Sequence, residues 1–236
     1  MSFCATIKAI LVKDLLSEFR AKQTLPTMVV LGVLIAWVFR IAAEAAPTST
    51  SATAAAVLLL AILFSAILAA DRCFALEQQN DCINALLLAP ADAGDIYIAK
   101  LLVNIAMLCI FEIVTVPAVL MLFKPDLAGR YLELLALLLL ADIGIAGVAT
   151  LLGSAVQQAK SRGMLLSILV MAVLMPMMIP MIFALLSLFG VVVEEAPASG
   201  TLAMVENFKT ALGYMAAFDA IFVTLSWLLF GFLVSE

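Results

Sequence analysis

Six long runs of apolar residues, separated by short polar segments, dominate the pattern of this chain. They cover approximately residues 25–43, 53–70, 98–123, 131–152, 164–189 and 210–234. An α-helix needs about 20 apolar residues to cross the hydrocarbon core of a bilayer, and a helix pairs its backbone polar groups within its own segment. The pattern therefore predicts an all-α membrane protein with six transmembrane helices, built as one transmembrane domain over residues 1–236.

The residues before the first run form a weaker, amphipathic pattern. Cys4, Ile7, Leu11 and Leu15 fall on one helical face, and polar residues such as Lys13 and Arg20 fall elsewhere. This spacing favours an N-terminal helix at the membrane interface, although a basic tail without structure remains the alternative. The first apolar run is longer than is usual for a signal peptide, and we expect it to be retained as a span.

A polar insert with an amphipathic centre separates the second and third runs. Its apolar residues, spaced as on one face of a short helix, are Cys82, Ile83, Leu86 and Leu87. Asn80, Asp81 and Asn84 occupy other angles, and Pro90 ends the pattern. We predict a short helix here, which serves either as a lever for a soluble partner or as a passive surface helix. Lys100 follows, and we expect its ammonium group to extend to the lipid headgroups.

Composition agrees with a membrane protein and narrows the chemistry. Hydrophobic residues make up 66% of the chain and charged residues 12%, against about 25% charged in soluble domains. There is no basic stripe that would suggest nucleic acid, and the four cysteines form no CxxC pair. Histidine is absent, which removes the commonest metal ligand and any Ser-His dyad. We predict no catalytic residue, no metal site and no cofactor held by this chain alone.

The distribution of Lys and Arg sets the expected orientation, because cytoplasmic loops are richer in both. One side would carry Lys8, Lys13, Arg20, Lys22, Arg72, Lys100, Lys160 and Arg162. The other side would carry Arg40, Lys124, Arg130 and Lys209. With six spans, the bias predicts that both termini and the insert lie in the cytoplasm.

Three carboxyl side chains fall near the middle of predicted spans: Glu112, Asp142 and Asp219. A charged group at that depth costs about 2.5–3.5 kcal/mol on insertion scales. We expect these carboxyls to be protonated, or to face the bundle interior or a polar cavity. They line a substrate path or act as a conformational latch, or they are hydrogen-bonded contacts between helices.

Methionines, prolines and small residues mark the fourth and fifth spans. Met171, Met175 and Met178 fall on one helical face, where methionine serves as an iron or copper ligand or, more commonly, as apolar packing. Pro176 and Pro180 predict a kink in the fifth span. The small residues of the fourth span predict close helix packing; they are Gly144, Gly147, Ala149 and Gly153.

Several stretches in and after the insert form a recognisable pattern. They are Asp71-Arg72-Cys73-Phe74-Ala75-Leu76-Glu77, Leu86-Leu87-Leu88-Ala89-Pro90-Ala91-Asp92, Ala99-Lys100, Phe111-Glu112-Ile113-Val114 with Pro117, and Leu165-Leu166-Ser167-Ile168-Leu169-Val170 with Pro176 and Pro180. This pattern resembles the family of haem exporter protein B (CcmB). It covers approximately residues 60 to 190 well and the ends only by hydropathy.

The resemblance implies the permease subunit of an ABC-type haem exporter for cytochrome c biogenesis. It implies a location in the bacterial inner membrane, and a cytoplasmic ABC ATPase subunit that binds the ATP, because this chain has no GxxxxGK[ST] motif. It further implies haem-handling membrane subunits and a permease that is dimeric, with a second permease copy, or paired with another subunit. The implied role is delivery of haem, or of the conditions for haem attachment, on the outer face of the membrane, and whether haem as cargo passes through this subunit stays open. The residues expected to couple to the ATPase are Arg72, Phe74, Glu77, Asp81, Ile83, Leu86, Leu87 and Pro90. The expected path or latch residues are Glu112, Asp142, Asp219, Met175 and Met178.

Other functions remain open from the sequence. The chain could be an ABC-type permease for another amphipathic cargo, such as a lipid or a drug. It could be a scaffold that recruits an ATPase without conducting cargo. A proton-coupled secondary transporter that uses Glu112 and Asp142 is a further hypothesis.

Overall fold

The structure is a computed structural model, and it describes residues 3–21, 23–45, 49–72, 93–156, 162–191 and 208–235. In these ranges the chain forms seven helices and no strand. The helices are α1 (Phe3–Ala21), α2 (Thr24–Ala45), α3 (Thr50–Arg72), α4 (Ala93–Phe123), α5 (Tyr131–Ala155), α6 (Arg162–Leu188) and α7 (Phe208–Ser235).

The six predicted spans are confirmed as helices α2 to α7. Each is long and apolar enough to cross a membrane, so the chain is a multi-pass, all-α membrane protein. Helix α1 is present where the amphipathic pattern predicts it. The predicted helix of the insert lies outside the described residues.

The spans alternate in direction along the bundle. Tyr97, near the start of α4, packs against Phe230, near the end of α7, with ring centroids 5.5 Å apart. At the other end Arg130, before α5, lies over the Phe208 ring that begins α7. We call the first of these the α1 end, since α1 packs there against α4, and the second the opposite end.

Helices α3 and α5 form the interior of the bundle. In the most apolar 18-residue stretch of each helix, 67% of the residues of α5 and 50% of those of α3 are buried, against 22% for α2 and 17% for α7. Small residues make this possible, because Ala54, Ala55, Ala61 and Ala66 let neighbouring helices approach α3 closely. A movement of α3 or α5 would therefore displace most of the other helices of the bundle.

The opposite end is held by Arg130. Its Nε donates to Glu133 Oε2 at 2.7 Å and its Nη1 donates to the Ser187 carbonyl at 3.2 Å, which ties the start of α5 to the end of α6. Helix α6 continues through Pro176 and Pro180, and the predicted kink there stays a prediction.

Candidate functional site

A buried ion pair joins α1 to α4 at the α1 end. The Lys100 Nζ lies 2.8 Å from Asp14 Oδ2, and both side chains are almost fully buried. Lys13 Nζ approaches the other Asp14 oxygen at 3.1 Å from a mostly exposed position. The expectation that Lys100 extends to the headgroups is therefore wrong, because α1 brings a carboxylate to it inside the protein.

Four helices meet around this ion pair. They line a small cavity of about 30 Å³ formed by Asp14, Glu18, Thr24, Ala69, Arg72, Lys100, Val103, Asn104 and Met107. Thr24 Oγ1 donates to Glu18 Oε1 at 2.9 Å, so the junction of α1 and α2 is pinned beside the cavity. The buried ion pair thus holds α4 to α1, and the last turn of α3 lines the same cavity. We call this polar cluster the α1 junction.

Of the residues expected to couple to an ATPase, only Arg72 lies in the described part of the chain. It is exposed at the end of α3 and lines the cavity of the α1 junction. The others lie outside the described residues: Phe74, Glu77, Asp81, Ile83, Leu86, Leu87 and Pro90. Their coupling role stays a prediction.

A second polar cluster lies at mid-span between α4 and α5. Cys109 Sγ donates to Asp142 Oδ2 at 3.2 Å, and Glu112, one turn further along α4, lies close enough to Asp142 for their carboxyls to interact. Asp142 is 0% exposed and Glu112 is 7% exposed. Both side chains face the bundle interior, which is one of the arrangements expected from the sequence.

Asp219 reaches α5 from another side. A Cβ built on Gly144 would collide with Asp219 Oδ1 and would lie 2.8 Å from Met177 Sδ. The absence of a side chain at Gly144 is therefore what lets α6 and α7 place these groups against the α5 backbone. The small residues of the fourth span serve close packing within this chain here.

The three carboxyls Glu112, Asp142 and Asp219, which we call the acidic cluster, share an unusual environment. Among the residues that the structure describes, none of them is paired with Lys or Arg, and Glu112 Oε1, Asp142 Oδ1 and both Asp219 oxygens accept no hydrogen bond. Buried polar groups are almost always hydrogen-bonded, so each exception points to strain or to function. In the same part of the chain, no group of three or more potential ligands of the His, Cys, Asp and Glu types is placed to hold a metal.

The two methionines predicted for the path or latch lie in different environments on α6. Met175 is 64% exposed on the outer surface of α6, whereas Met178 is buried. The methionine that contacts the acidic cluster is Met177, which sequence reasoning did not single out. Spacing alone groups residues by face but does not say which face points inward, so no signal in the sequence identifies Met177.

Comparison with known proteins gives one finding. No curated protein matches the chain. A protein-family model described as CcmB protein matches residues 5–226, which include most of α1, all of α2 to α6 and most of α7. The chain therefore belongs to the CcmB family, the family of haem exporter protein B.

Proposed function

We propose that this chain is the permease subunit of an ABC-type haem exporter for cytochrome c maturation, driven by a separate ATPase subunit. Family membership supports a membrane component of the haem exporter. We further assign the transmission of force from the ATPase subunit to residues 73–92 and to the two helices that flank them.

The α1 junction is the observation that carries this proposal. Residues 73–92 connect Arg72 at the end of α3 with Ala93 at the start of α4. Arg72 lines the cavity of the α1 junction, and Lys100, two turns into α4, forms the buried pair with Asp14 beside the same cavity. Helix α3 is one of the two interior helices. A force applied to residues 73–92 would therefore displace α3 and, with it, the interior of the bundle.

The distribution of positive charge supports a cytoplasmic position for this end. The basic residues in the described ranges at the α1 end are Lys8, Lys13, Arg20, Arg72, Lys100 and Arg162, and those at the opposite end are Arg40, Lys124, Arg130 and Lys209. Positive residues are retained preferentially on the cytoplasmic side. Both termini and the segment 73–92 would then face the cytoplasmic ATPase, and the protein would lie in the bacterial inner membrane.

The acidic cluster acts as a latch in this proposal and does not bind haem. The propionates of haem are anionic, and carboxyls without a positive partner, wherever they are ionised, would repel them in a medium of low dielectric. The chain also has no histidine for the iron. Stable haem ligation therefore belongs to other membrane subunits of the complex, and the permease changes the state of the complex when ATP is hydrolysed.

The test is recovery of the ATPase subunit with the purified permease. The double variant Leu86→Asp/Leu87→Asp places two charges on the apolar face of the predicted coupling helix, and we expect it to release the ATPase subunit. The matched control Asn80→Asp/Asn84→Asp adds the same charge at other angles of that helix and should retain the subunit. Full recovery of the ATPase subunit with the Leu variant would overturn the proposed coupling.

Cargo-stimulated ATP hydrolysis separates this proposal from the alternatives. Stimulation by haem in the reconstituted complex is expected for the haem exporter. Stimulation by a lipid or drug but not by haem would favour another amphipathic cargo. No stimulation by any cargo, with the ATPase subunit still bound, would favour a scaffold.

A further inference from the structure

Helix α1 carries an apolar stripe on its outer surface. Val12, Leu16 and Phe19 follow an i, i+4, i+7 spacing, which places them on one face of the helix, and their exposed fractions are 44%, 51% and 51%. The apolar face expected from the sequence is a different one, and its members, such as Leu11, are half-buried against the bundle. The stripe is therefore a separate surface that the packing of α1 leaves exposed.

The charges of α1 are divided between its two faces. Asp14 pairs with Lys100 inside the protein, and Glu18 accepts a hydrogen bond from Thr24 and lines the cavity of the α1 junction. The three cations of the helix are all exposed; they are Lys8, Lys13 and Arg20. Although α1 has three basic and two acidic residues, the exposed positions that the structure describes on it carry only positive charge.

The cations flank the apolar stripe on both sides. At 3.6 residues per turn, Lys8 lies about 40° to one side of Val12, whereas Arg20 and Lys13 lie about 80° and 100° to the other side. An apolar stripe between long basic side chains is the pattern of a helix that lies against lipid. The stripe then contacts acyl chains, and the basic side chains extend to the head groups.

Helix α1 lies beside the first turns of a membrane span. Ile10 packs against the cluster that contains Ile96 and Tyr97, and these residues belong to the candidate span Gly94–Phe123. Near the end of α1, Phe19 lines an apolar groove of about 400 Å³ together with residues of α2 and α4. The stripe thus continues into the outer apolar surface of two spans, which faces the acyl chains of the bilayer.

We propose that the outer face of α1 binds anionic phospholipids, with its apolar stripe among the acyl chains and its cations against the phosphates. A membrane surface with anionic head groups attracts basic segments, and a zwitterionic surface offers them no net charge. The nearby helix ends do not reverse the charge of this face, since Asp71 lies beside Arg72 and Asp95 is half-buried. Continuity of the stripe with two spans favours lipid over the acidic surface of a soluble subunit. This inference does not rest on the haem-export proposal.

The test is photolabelling in phosphatidylcholine nanodiscs, with the protein alone and within its intact complex. The probes are phosphatidylglycerol and phosphatidylcholine that carry the same diazirine-bearing acyl chain. We expect phosphatidylglycerol to label the stretch around Val12 and Leu16 about fivefold more than phosphatidylcholine does, the factor that one engaged cation supplies at a membrane surface. In 1 M salt the two probes should label it almost equally, because the Debye length falls to about 3 Å.

Three variants make the result specific. Lys8→Gln/Arg20→Gln should bring the two probes close to equal labelling, since the remaining cation, Lys13, already has an acidic neighbour. Lys8→Arg/Arg20→Lys keeps both charges and should keep the preference for phosphatidylglycerol. Lys124→Gln/Lys209→Gln removes two exposed cations at the opposite end and should leave the labelling of α1 unchanged. The melting temperature of each variant in phosphatidylcholine checks that it is folded.

Three outcomes would overturn the proposal. Equal labelling of α1 by the two probes at low salt would remove the role of head-group charge. An unchanged preference in Lys8→Gln/Arg20→Gln would remove the role of the flanking cations. Protection of α1 from both probes in the intact complex, with a cysteine placed at Leu16 that cross-links to another subunit, would show that a protein partner covers this face instead.

Discussion

The α1 junction and the mid-span region each contain two buried titratable side chains, but only the first region pairs an acid with a base. Asp14 and Lys100 at the α1 junction are buried to nearly the same extent as Glu112 and Asp142 at mid-span. The first two residues neutralise each other at 2.8 Å. The two mid-span acids have no basic partner among the described residues, and one oxygen of each accepts no hydrogen bond. We infer that the α1 junction holds its helices in a fixed arrangement. The interactions of the acidic cluster, in contrast, are completed only in another state or with a ligand.

Breaking the α1 junction should give the largest effect. Lys100→Met leaves Asp14 buried beside only the exposed Lys13, and removal of one partner of a buried ion pair costs about 3–5 kcal/mol. We expect a large fall in the melting temperature of the purified protein in detergent. The double variant Asp14→Leu/Lys100→Met should recover much of the loss, because it removes both charges.

Lys13→Met is the control for that experiment. Lys13 also contacts Asp14, but its side chain is 56% exposed, and an exposed ion pair contributes at most about 1 kcal/mol. An equal fall in melting temperature for Lys13→Met and Lys100→Met would show that the stability of the α1 junction does not depend on the buried pair.

Crowding the acidic cluster should have an intermediate effect. Gly144→Ala places a methyl group against Asp219 Oδ1 and Met177 Sδ, and forced overpacking costs about 1–3 kcal/mol. Gly213→Ala, where nothing lies within 4 Å of the added carbon, is the matched control and should not lower the melting temperature. A stable Gly144→Ala protein with normal function would mean that Asp219 is free to move away, and that its position is not fixed.

Removing a neutral polar contact should have the smallest effect. Asn104 Nδ2 donates to Thr150 Oγ1 at 3.0 Å between α4 and α5, about one turn from Lys100. Hydrogen bonds between transmembrane helices contribute about 0.6 kcal/mol on average. We therefore expect Asn104→Leu to lower the melting temperature only slightly. A loss as large as that of Lys100→Met would show that the α1 junction depends on Asn104 as much as on the buried ion pair.

The sequence predicts the spans well because hydrophobic length is a local property. All six runs end within a few residues of the observed helices, and the amphipathic spacing of Ile7 and Leu11 predicts α1. The depth of Glu112, Asp142 and Asp219 also follows from counting along each run. These features need no knowledge of which helix lies beside which.

The pairing of side chains between helices could not be predicted in the same way. Lys100 was expected at the headgroups because nothing local to α4 shows that α1 folds back to bring Asp14 to it. The inward position of Met177 and the outward position of Met175 depend on the rotation of α6 against α5 and α7. Asp219 meets Gly144 through contacts between distant segments, which single-sequence periodicity does not record.

The most direct test of the division between the two regions measures both of them in one reconstituted complex. Recovery of the ATPase subunit and yield of mature cytochrome c would be compared for Leu86→Asp/Leu87→Asp and for Glu112→Gln/Asp142→Asn. We predict that the first variant loses the ATPase subunit and maturation together, while the second keeps the subunit bound and loses maturation. Release of the ATPase subunit by the acidic-cluster variant, or normal maturation by the segment variant, would contradict the assignment of coupling to one end and of the latch to mid-span.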